Sequence, residues 1–380
     1  MFSSPTLHPP VLISDEHKSL ALDRLDAITR SRRSRLAEFA AVFPSPGTVT
    51  VPLSTVSSAG GFDAYLEVGL RGADPAAPIR LLLDSGNTCL ILPDFAAITA
   101  LPNFATDYRI LVDNVLEPWQ APAAILRGPI DIPTASGQVY SLDDCVFYAC
   151  KGPNAEGVRT ANFGLGCVSA WTMDHGVELR TPLTYGPALR YAAVSYDAAA
   201  VLAVASTPRI GESAALVLSA QPPAGFQTFA IVPNSPWMAL VPRRLTIEAV
   251  GTAWPVARPD AIAMIDTGGG PIYLSDPDRF VCGAAWPQPA ALPAWALHGS
   301  VACEAVRDSV TIELGDAGGS YSYTVNPANL PAGSRDLTLV MCQNCAYMMG
   351  RYGMNIGGIS ALFNSILIDF GSKRVGFKAR

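Results

Sequence analysis

The chain has 380 residues, of which 49% are hydrophobic and 15% are charged, whereas soluble proteins average about 25% charged residues. This balance excludes an intrinsically disordered protein, and the longest uncharged apolar run, Ala198 to Ser206, is too short to span a bilayer, which takes about 20 residues. The 26 basic and 32 acidic residues give a net charge of -6, so we expect neither a membrane nor a nucleic acid as partner.

Residues 1 to 47 form an N-terminal extension in which apolar residues recur at helical spacing among charged ones, until Pro44 and Pro46 end the pattern. This spacing predicts an amphipathic helix. A solvated helix face is the simplest interpretation of its basic cluster, Arg30, Arg32, Arg33 and Arg35. The start, MFSSPTLHPPVLISDEHKSL, lacks the basic and apolar regions of a secretory signal. We therefore expect a cytoplasmic protein, or a secreted one if a signal has been removed from this chain.

From Thr48 onwards the chain consists of short β-type runs bounded by Gly, Pro, Asp or Asn, which predicts an all-β protein. Two of these segments resemble each other, IRLLLDSGNTCLILPD (79–94) and IAMIDTGGGPIYLSD (262–276). Each reads as an apolar strand, an Asp-Ser/Thr-Gly turn and a second apolar strand. A second similar pair, NFGLGC (162–167) and NIGGIS (355–360), follows at comparable distances. Two similar halves, with Asp84 and Asp266 in matching turns, indicate a duplication.

On these motifs the chain from about residue 48 to residue 380 resembles the pepsin-like aspartic proteases. The segments that carry the resemblance are LLLDSGNTCLILP, AMIDTGG, IVPNSPWMALVPRRLTIEAVG and the C-terminal NIGGISALFNSILIDFGSKRVGFKAR. The resemblance implies an all-β, bilobal double β-barrel with the active cleft between the lobes. Residues 48–225 would form the lobe that carries Asp84, and residues 226–380 the lobe that carries Asp266. We expect a monomer.

The chemistry of paired carboxylates gives an independent reason for two aspartates. Two carboxylates about 3 Å apart cannot both ionise, so they share a proton. The ionised one can then activate a water molecule while the protonated one polarises a peptide carbonyl. We therefore expect Asp84 and Asp266 to be catalytic, with no metal or other cofactor. The residues expected to support them in the two turns are Ser85, Gly86, Asn87, Thr267 and Gly268.

Within these turns, the glycines allow close approach of the two loops. The hydroxyl groups of Ser85 and Thr267 are expected to bond across to the backbone of the opposite loop.

Three positions depart from the family pattern. Asn87 and Gly269 stand where the family has a serine and a threonine that support the outer carboxylate oxygens. The flap region has no tyrosine before Gly128, so Trp119 is the candidate flap residue, and a buried packing role is the alternative for it. NIGGIS has a glycine where the family often has an aspartate.

These departures leave three functions open. The first is an aspartic endopeptidase that takes an extended peptide or peptide-like substrate. The second is an acid–base enzyme that cyclises or rearranges a small biosynthetic intermediate on the same fold. The third is a catalytically silent binding or inhibitor protein, against which the two retained aspartates argue, because buried carboxylates are costly to keep.

Two further expectations concern metal or disulfide bonding by the cysteines and the role of the N-terminal extension. A zinc site at Cys342 and Cys345 would need further ligands nearby, and the sequence supplies none. The resemblance implies a disulfide bond late in the second lobe, between Cys303 and either Cys342 or Cys345.

The resemblance also implies that residues 1–47 are a removable prosegment whose basic residues pair with cleft carboxylates, with an ordinary surface helix as the alternative.

Overall fold

Strands dominate the computed structural model of this chain, which confirms the predicted all-β class. The chain divides into two units, Met1–Val42 and Phe43–Arg380, and every described residue belongs to the second. The structure describes residues 47–58, 61–75, 77–168, 171–186, 189–196, 211–248, 252–255, 260–270, 272–275, 303–306, 308–330, 339–342 and 353–379. The predicted N-terminal helix and prosegment lie outside these residues.

The part of the chain before residue 226 contributes twelve of the described strands and two short helices. The helices are α1 (Phe95–Thr99) and α2 (Phe104–Asp107). The strands are β1 (Val49–Ser58), β2 (Gly61–Leu70), β3 (Ile79–Asp84), β4 (Leu90–Leu92), β5 (Arg109–Leu116), β6 (Pro122–Pro133), β7 (Val139–Cys150), β8 (Asn162–Gly164), β9 (Thr172–Asp174), β10 (Val177–Leu179), β11 (Tyr191–Tyr196) and β12 (Gly211–Ser219).

The part from residue 226 onwards contributes the other described strands and two 3-10 helices, Pro327–Asn329 and Gly358–Leu362. The strands are β13 (Gln227–Ala230), β14 (Ala239–Ile247), β15 (Thr252–Pro255), β16 (Ile262–Ile265), β17 (Ile272–Ser275), β18 (Cys303–Val306), β19 (Val310–Asp316), β20 (Gly319–Val325), β21 (Leu339–Cys342), β22 (Gly353–Ile356), β23 (Asn364–Asp369) and β24 (Arg374–Ala379). A further 3-10 turn, Pro182–Tyr185, precedes β11. None of the described helices is long and apolar enough to cross a membrane.

The described strands form a 13-stranded sheet, a 9-stranded sheet and the small β9–β10 hairpin. In the larger sheet, β2, β3, β8, β4, β7 and β6 follow one another, and β6 also pairs with β2. These six strands therefore close into a barrel. The same sheet continues through β1, β12 and β11 to β23, β24 and β13, so it contains strands from both sides of the boundary predicted at residue 225.

The strand pairing repeats between the two similar halves of the sequence. In the first half, β8 lies between β3, to which it is parallel, and β4, to which it is antiparallel, and β4 is parallel to β7. In the second half, β22 lies in the same way between β16 and β17, and β17 is parallel to β21. Strands that are buried on both faces read as continuous apolar runs, which explains the runs LIL in β4 and IAMI in β16, both buried throughout.

The cysteine side chains that the structure describes do not form disulfide bonds. Cys89, Cys145, Cys150 and Cys167 are free and buried, and burial raises the pKa of Cys150 and of Cys167 to about 11. The expected disulfide bond is therefore not found in the described part of the chain. The backbone of Cys303 in β18 lies directly opposite that of Cys342 in β21, whereas Cys345 is outside the described residues.

Candidate active site

The structure brings the two predicted aspartates together. Asp84 is the last residue of β3, and Asp266 directly follows β16. Their carboxyl groups hydrogen-bond each other, although 182 residues separate the two turns in the chain. Both side chains are buried, with 6% of Asp84 and 8% of Asp266 exposed. This is a carboxyl pair of the kind that the repeated Asp-Ser/Thr-Gly motif led us to expect.

Four hydrogen bonds join the two turns through Ser85 and Thr267. The Ser85 hydroxyl donates to the Ile265 carbonyl (2.8 Å) and accepts from the Thr267 N–H (3.0 Å). The Thr267 hydroxyl donates to the Leu83 carbonyl (2.8 Å) and accepts from the Ser85 N–H (3.0 Å). Both side chains are buried, so water cannot replace these bonds. Each turn therefore fixes the position of the other.

The glycines of the two turns are required because the loops touch. A Cβ atom on Gly86 would lie 2.7 Å from the Asp266 carboxyl carbon, and one on Gly268 would lie 2.6 Å from that of Asp84. No other residue fits at either position without moving an aspartate. The backbone N–H of each glycine also donates to the Oδ1 atom of the aspartate in its own turn, at 2.7 Å for Gly86 and 3.1 Å for Gly268.

The outer carboxylate oxygens are held by two asparagines that the sequence analysis did not select. Asn162 at the start of β8 donates from Nδ2 to Asp84 Oδ2 (2.7 Å), and Asn355 in β22 donates from Nδ2 to Asp266 Oδ2 (2.7 Å). Both asparagines are buried. The signal was present in the sequence, because NFGLGC and NIGGIS both begin with asparagine, but only the glycines of these segments were interpreted.

Asn87 and Gly269, the two positions that depart from the family pattern, differ in what they do. Asn87 donates from Nδ2 to the Oδ1 atom of Asn162 (2.7 Å) rather than to the carboxyl group of Asp84. Gly269 has no side chain, and a Cβ atom there would lie 3.1 Å from Asp266 Oδ2. The first half of the site therefore has one more side chain in its hydrogen-bond network than the second.

The electrostatics of the pair favour a shared proton. Burial, followed by the nearby charge of Asp84, raises the pKa of Asp266 well above its ordinary value, against the hydrogen bond from Asn355. A third acid lies beside them on β2. The β2–β3 register pairs Tyr65 with Leu82, and continuing it by two residues places Asp63 opposite Asp84. Burial raises the pKa of Asp63 to about 6, opposed by its bond with Tyr65 and assisted by Asp84.

The candidate flap residue Trp119 lies on the turn of residues 117–121 that joins β5 to β6. The residue is 41% exposed, so the alternative of a buried packing residue is wrong. Glu117 holds the turn in place. Its buried carboxylate accepts from the N–H groups of Trp119 (2.8 Å) and Ala121 (2.9 Å) and from the hydroxyl of Thr160 (3.2 Å). A rigid turn thus presents an exposed indole.

Within the described part of the chain, no group of three or more His, Cys, Asp and Glu side chains is arranged to hold a metal ion. No protein-family model matches the sequence, and no curated protein is significantly similar to it.

Proposed function

We propose that this protein is an aspartic endopeptidase of the pepsin-like type, with the two lobes and double β-barrel of that family. The observation that carries the proposal is the hydrogen-bonded carboxyl pair, Asp84 and Asp266, contributed by matching turns. The repeated strand pairing around the turns supports a two-lobed origin. The four bonds between the turns keep the pair rigid, as a catalytic site requires.

In the proposed reaction, Asp266 is the protonated member of the pair, because burial and the charge of Asp84 raise its pKa. Asp84 is then the carboxylate. A water molecule held between them gives a proton to Asp84 and attacks the peptide carbonyl carbon, while Asp266 gives its proton to the carbonyl oxygen. The resulting tetrahedral diol collapses when Asp84 gives its proton to the leaving nitrogen and the C–N bond breaks. One diol hydroxyl returns its proton to Asp266 as the product carboxyl group forms, which restores the pair.

The proposed substrate is an extended peptide or peptide-like chain. Such chains bind along the exposed edge of a sheet or hairpin by backbone hydrogen bonds. The rigid turn that carries Trp119 is the proposed flap, and its exposed indole provides both an apolar surface and an N–H donor. No metal ion or organic cofactor takes part in this mechanism.

A second candidate function is acid–base catalysis on a small molecule. The observation that favours it is the support of the outer oxygens by the amides of Asn162 and Asn355, where the family uses hydroxyl groups. A site altered in this way can serve another proton-transfer reaction on the same fold. A silent binding protein is the weakest alternative, because it would not need a buried, hydrogen-bonded carboxyl pair.

The test is digestion of a broad peptide library from acid to neutral pH by the full chain. Asp84→Asn and Asp266→Asn should each lower kcat/KM by about 10²–10⁴-fold, because each removes a group that transfers a proton. Asp144→Asn is the matched control, since its side chain is 70% exposed, and it should leave the rate unchanged. A pepstatin-type transition-state mimic should inhibit the wild-type protein.

Two results would contradict the proposal. A folded wild-type protein that cleaves no peptide at any pH would exclude proteolysis and favour the small-molecule reaction. Cleavage that persists unchanged in Asp84→Asn or Asp266→Asn would exclude the aspartate pair as its catalyst.

A further inference from the structure

The two asparagines that hold the catalytic pair are not equivalent, and the difference begins at Asn87. The Oδ1 atom of Asn162 accepts from Nδ2 of Asn87 (2.7 Å). Asn87 is itself oriented by its bonds with the backbone of Cys89, to which Nδ2 donates (2.8 Å) and from which Oδ1 accepts (3.2 Å). Because one end of the Asn162 amide must face a donor, the other end, Nδ2, must face Asp84.

The amide of Asn355 has no such constraint. Gly269 occupies the position that matches Asn87, so no side chain reaches Asn355 from that turn. Asn355 is fully buried, and in the described part of the chain its Oδ1 atom has no hydrogen-bond partner. A Cβ atom on Gly269 would lie 3.4 Å from that oxygen. The orphaned oxygen therefore borders the space that the missing side chain leaves.

These two environments favour different protonation states. An amide NH₂ group can only donate, and a donor aimed at a carboxyl oxygen favours the ionised form. An amide that can turn about its terminal bond can instead present its carbonyl oxygen, which accepts from the O–H of a protonated carboxyl group. Turning Asn355 would give its orphaned oxygen a partner, the O–H of a protonated Asp266, in exchange for the bond that Nδ2 now donates to that carboxyl group.

We propose that Asn87 and Asn162 are positioning residues that hold Asp84 as the ionised general base, and that Asn355 turns its amide to accept from a protonated Asp266, the general acid. This assignment rests on the proposed function. Its physical content is that the asymmetry between Asn87 and Gly269 decides which aspartate carries the shared proton.

The test measures protonation directly and needs no substrate. Carboxyl ¹³C shifts of aspartate-labelled protein are followed against pH, with the signals of Asp84 and Asp266 assigned from their Asn variants. The pair should titrate with two apparent pKa values. Two other ionisable groups face Asp84: Asp63 on β2 and Cys89 before β4. The Asp63 signal is therefore followed in the same spectra, and Cys89 stays neutral because burial raises its pKa.

Asn87→Gly gives the first half the arrangement of the second. It should raise the lower apparent pKa of the pair by about one unit, a tenfold gain in proton affinity, because Asn162 is then free to turn. Gly269→Ser places a hydroxyl donor beside Asn355 Oδ1, and it should lower the upper apparent pKa by a similar amount. Asn326→Gly is the matched control for a lost asparagine turn, since Asn326 accepts from the Ala328 N–H after β20, and it should change neither value.

The outcomes separate the two levels of the proposal. If the wild-type aspartates titrate as a coupled pair but Asn87→Gly and Gly269→Ser leave both values in place, the positioning roles are wrong and the aspartic mechanism stands. If the wild-type aspartates titrate independently near their ordinary values, the proposed function itself is wrong. If Asn87→Gly does not fold, as judged by its melting curve, Gly269→Ser decides the question alone.

Discussion

The bonds between the two catalytic turns should make Thr267 one of the most sensitive polar positions in the protein. Thr267→Val keeps the shape of the side chain and its branching at Cβ, so it removes the hydroxyl with little change in packing. Two buried backbone groups then lose their partner, the Leu83 carbonyl and the Ser85 N–H. An unsatisfied buried group costs about 1–3 kcal/mol, so we expect the free energy of unfolding to fall by about 2–6 kcal/mol.

The measurement is urea-induced unfolding at neutral pH, followed by tryptophan fluorescence and circular dichroism. The matched control is Thr324→Val, which makes the same chemical change on β20. The Thr324 hydroxyl bonds that of Thr311 (2.7 Å) on an exposed part of the strand pair, so its loss should change stability by no more than about 0.5 kcal/mol. If the two variants shift the midpoint equally, the bonds between the turns do not stabilise the fold, and the rigidity attributed to them is wrong.

Three further predictions follow from the acid beside the pair, the cysteines and the extension. Because the folded protein raises the pKa of Asp63 from 3.8 to about 6, it stabilises the protonated form. That contribution to the free energy of unfolding is complete below pH 3.8 and is lost as pH rises through about 6. Asp63→Asn should remove about 2–3 kcal/mol of this pH dependence. If the free energies of unfolding of the two proteins change with pH in parallel, the prediction is wrong. Because Cys89, Cys145, Cys150 and Cys167 are free, thiol titration under denaturing conditions should find at least four free thiols; a lower count would contradict the structure, and a count of eight in protein from its native source would favour a reducing compartment. If residues 1–47 are a prosegment, intact mass should show their loss in acid but not at neutral pH, because protonation breaks their pairs with carboxylates; a folded chain that keeps its full length in acid would contradict this.

Local patterns in the sequence were sufficient to predict several features of the fold and the site. The apolar runs bounded by glycine and proline predicted an all-β protein, because strand formation depends on short-range patterning. The repeated Asp-Ser/Thr-Gly motif selected Asp84 and Asp266, and the small polar residues beside them predicted bonds between the two turns. The chemistry of a shared proton required the two carboxyl groups to meet, and the structure places them in contact.

Other features depended on pairing between distant strands. Asn162 lies 78 residues from Asp84, and Asn355 lies 89 residues from Asp266. Parallel pairing of β3 with β8 and of β16 with β22 brings each asparagine to its aspartate. The repeated asparagine marks Asn162 and Asn355 as equivalent positions, but the residues next to them do not show that their amides reach the aspartates. The sequence placed Asn87 beside the carboxyl group of Asp84. In the structure its amide donates to Asn162, which in turn donates to that carboxyl group.

The sequence by itself therefore determined the strand content, the identity of the paired acids and the need for glycine beside them, since each follows from residues adjacent in the chain. Only the tertiary structure decided which side chains complete the hydrogen bonds of those acids and which oxygen is left without a partner. The physical reason is that a buried polar group must find its partner wherever the fold supplies one, and strand pairing across 80 or more residues leaves no mark on the local pattern.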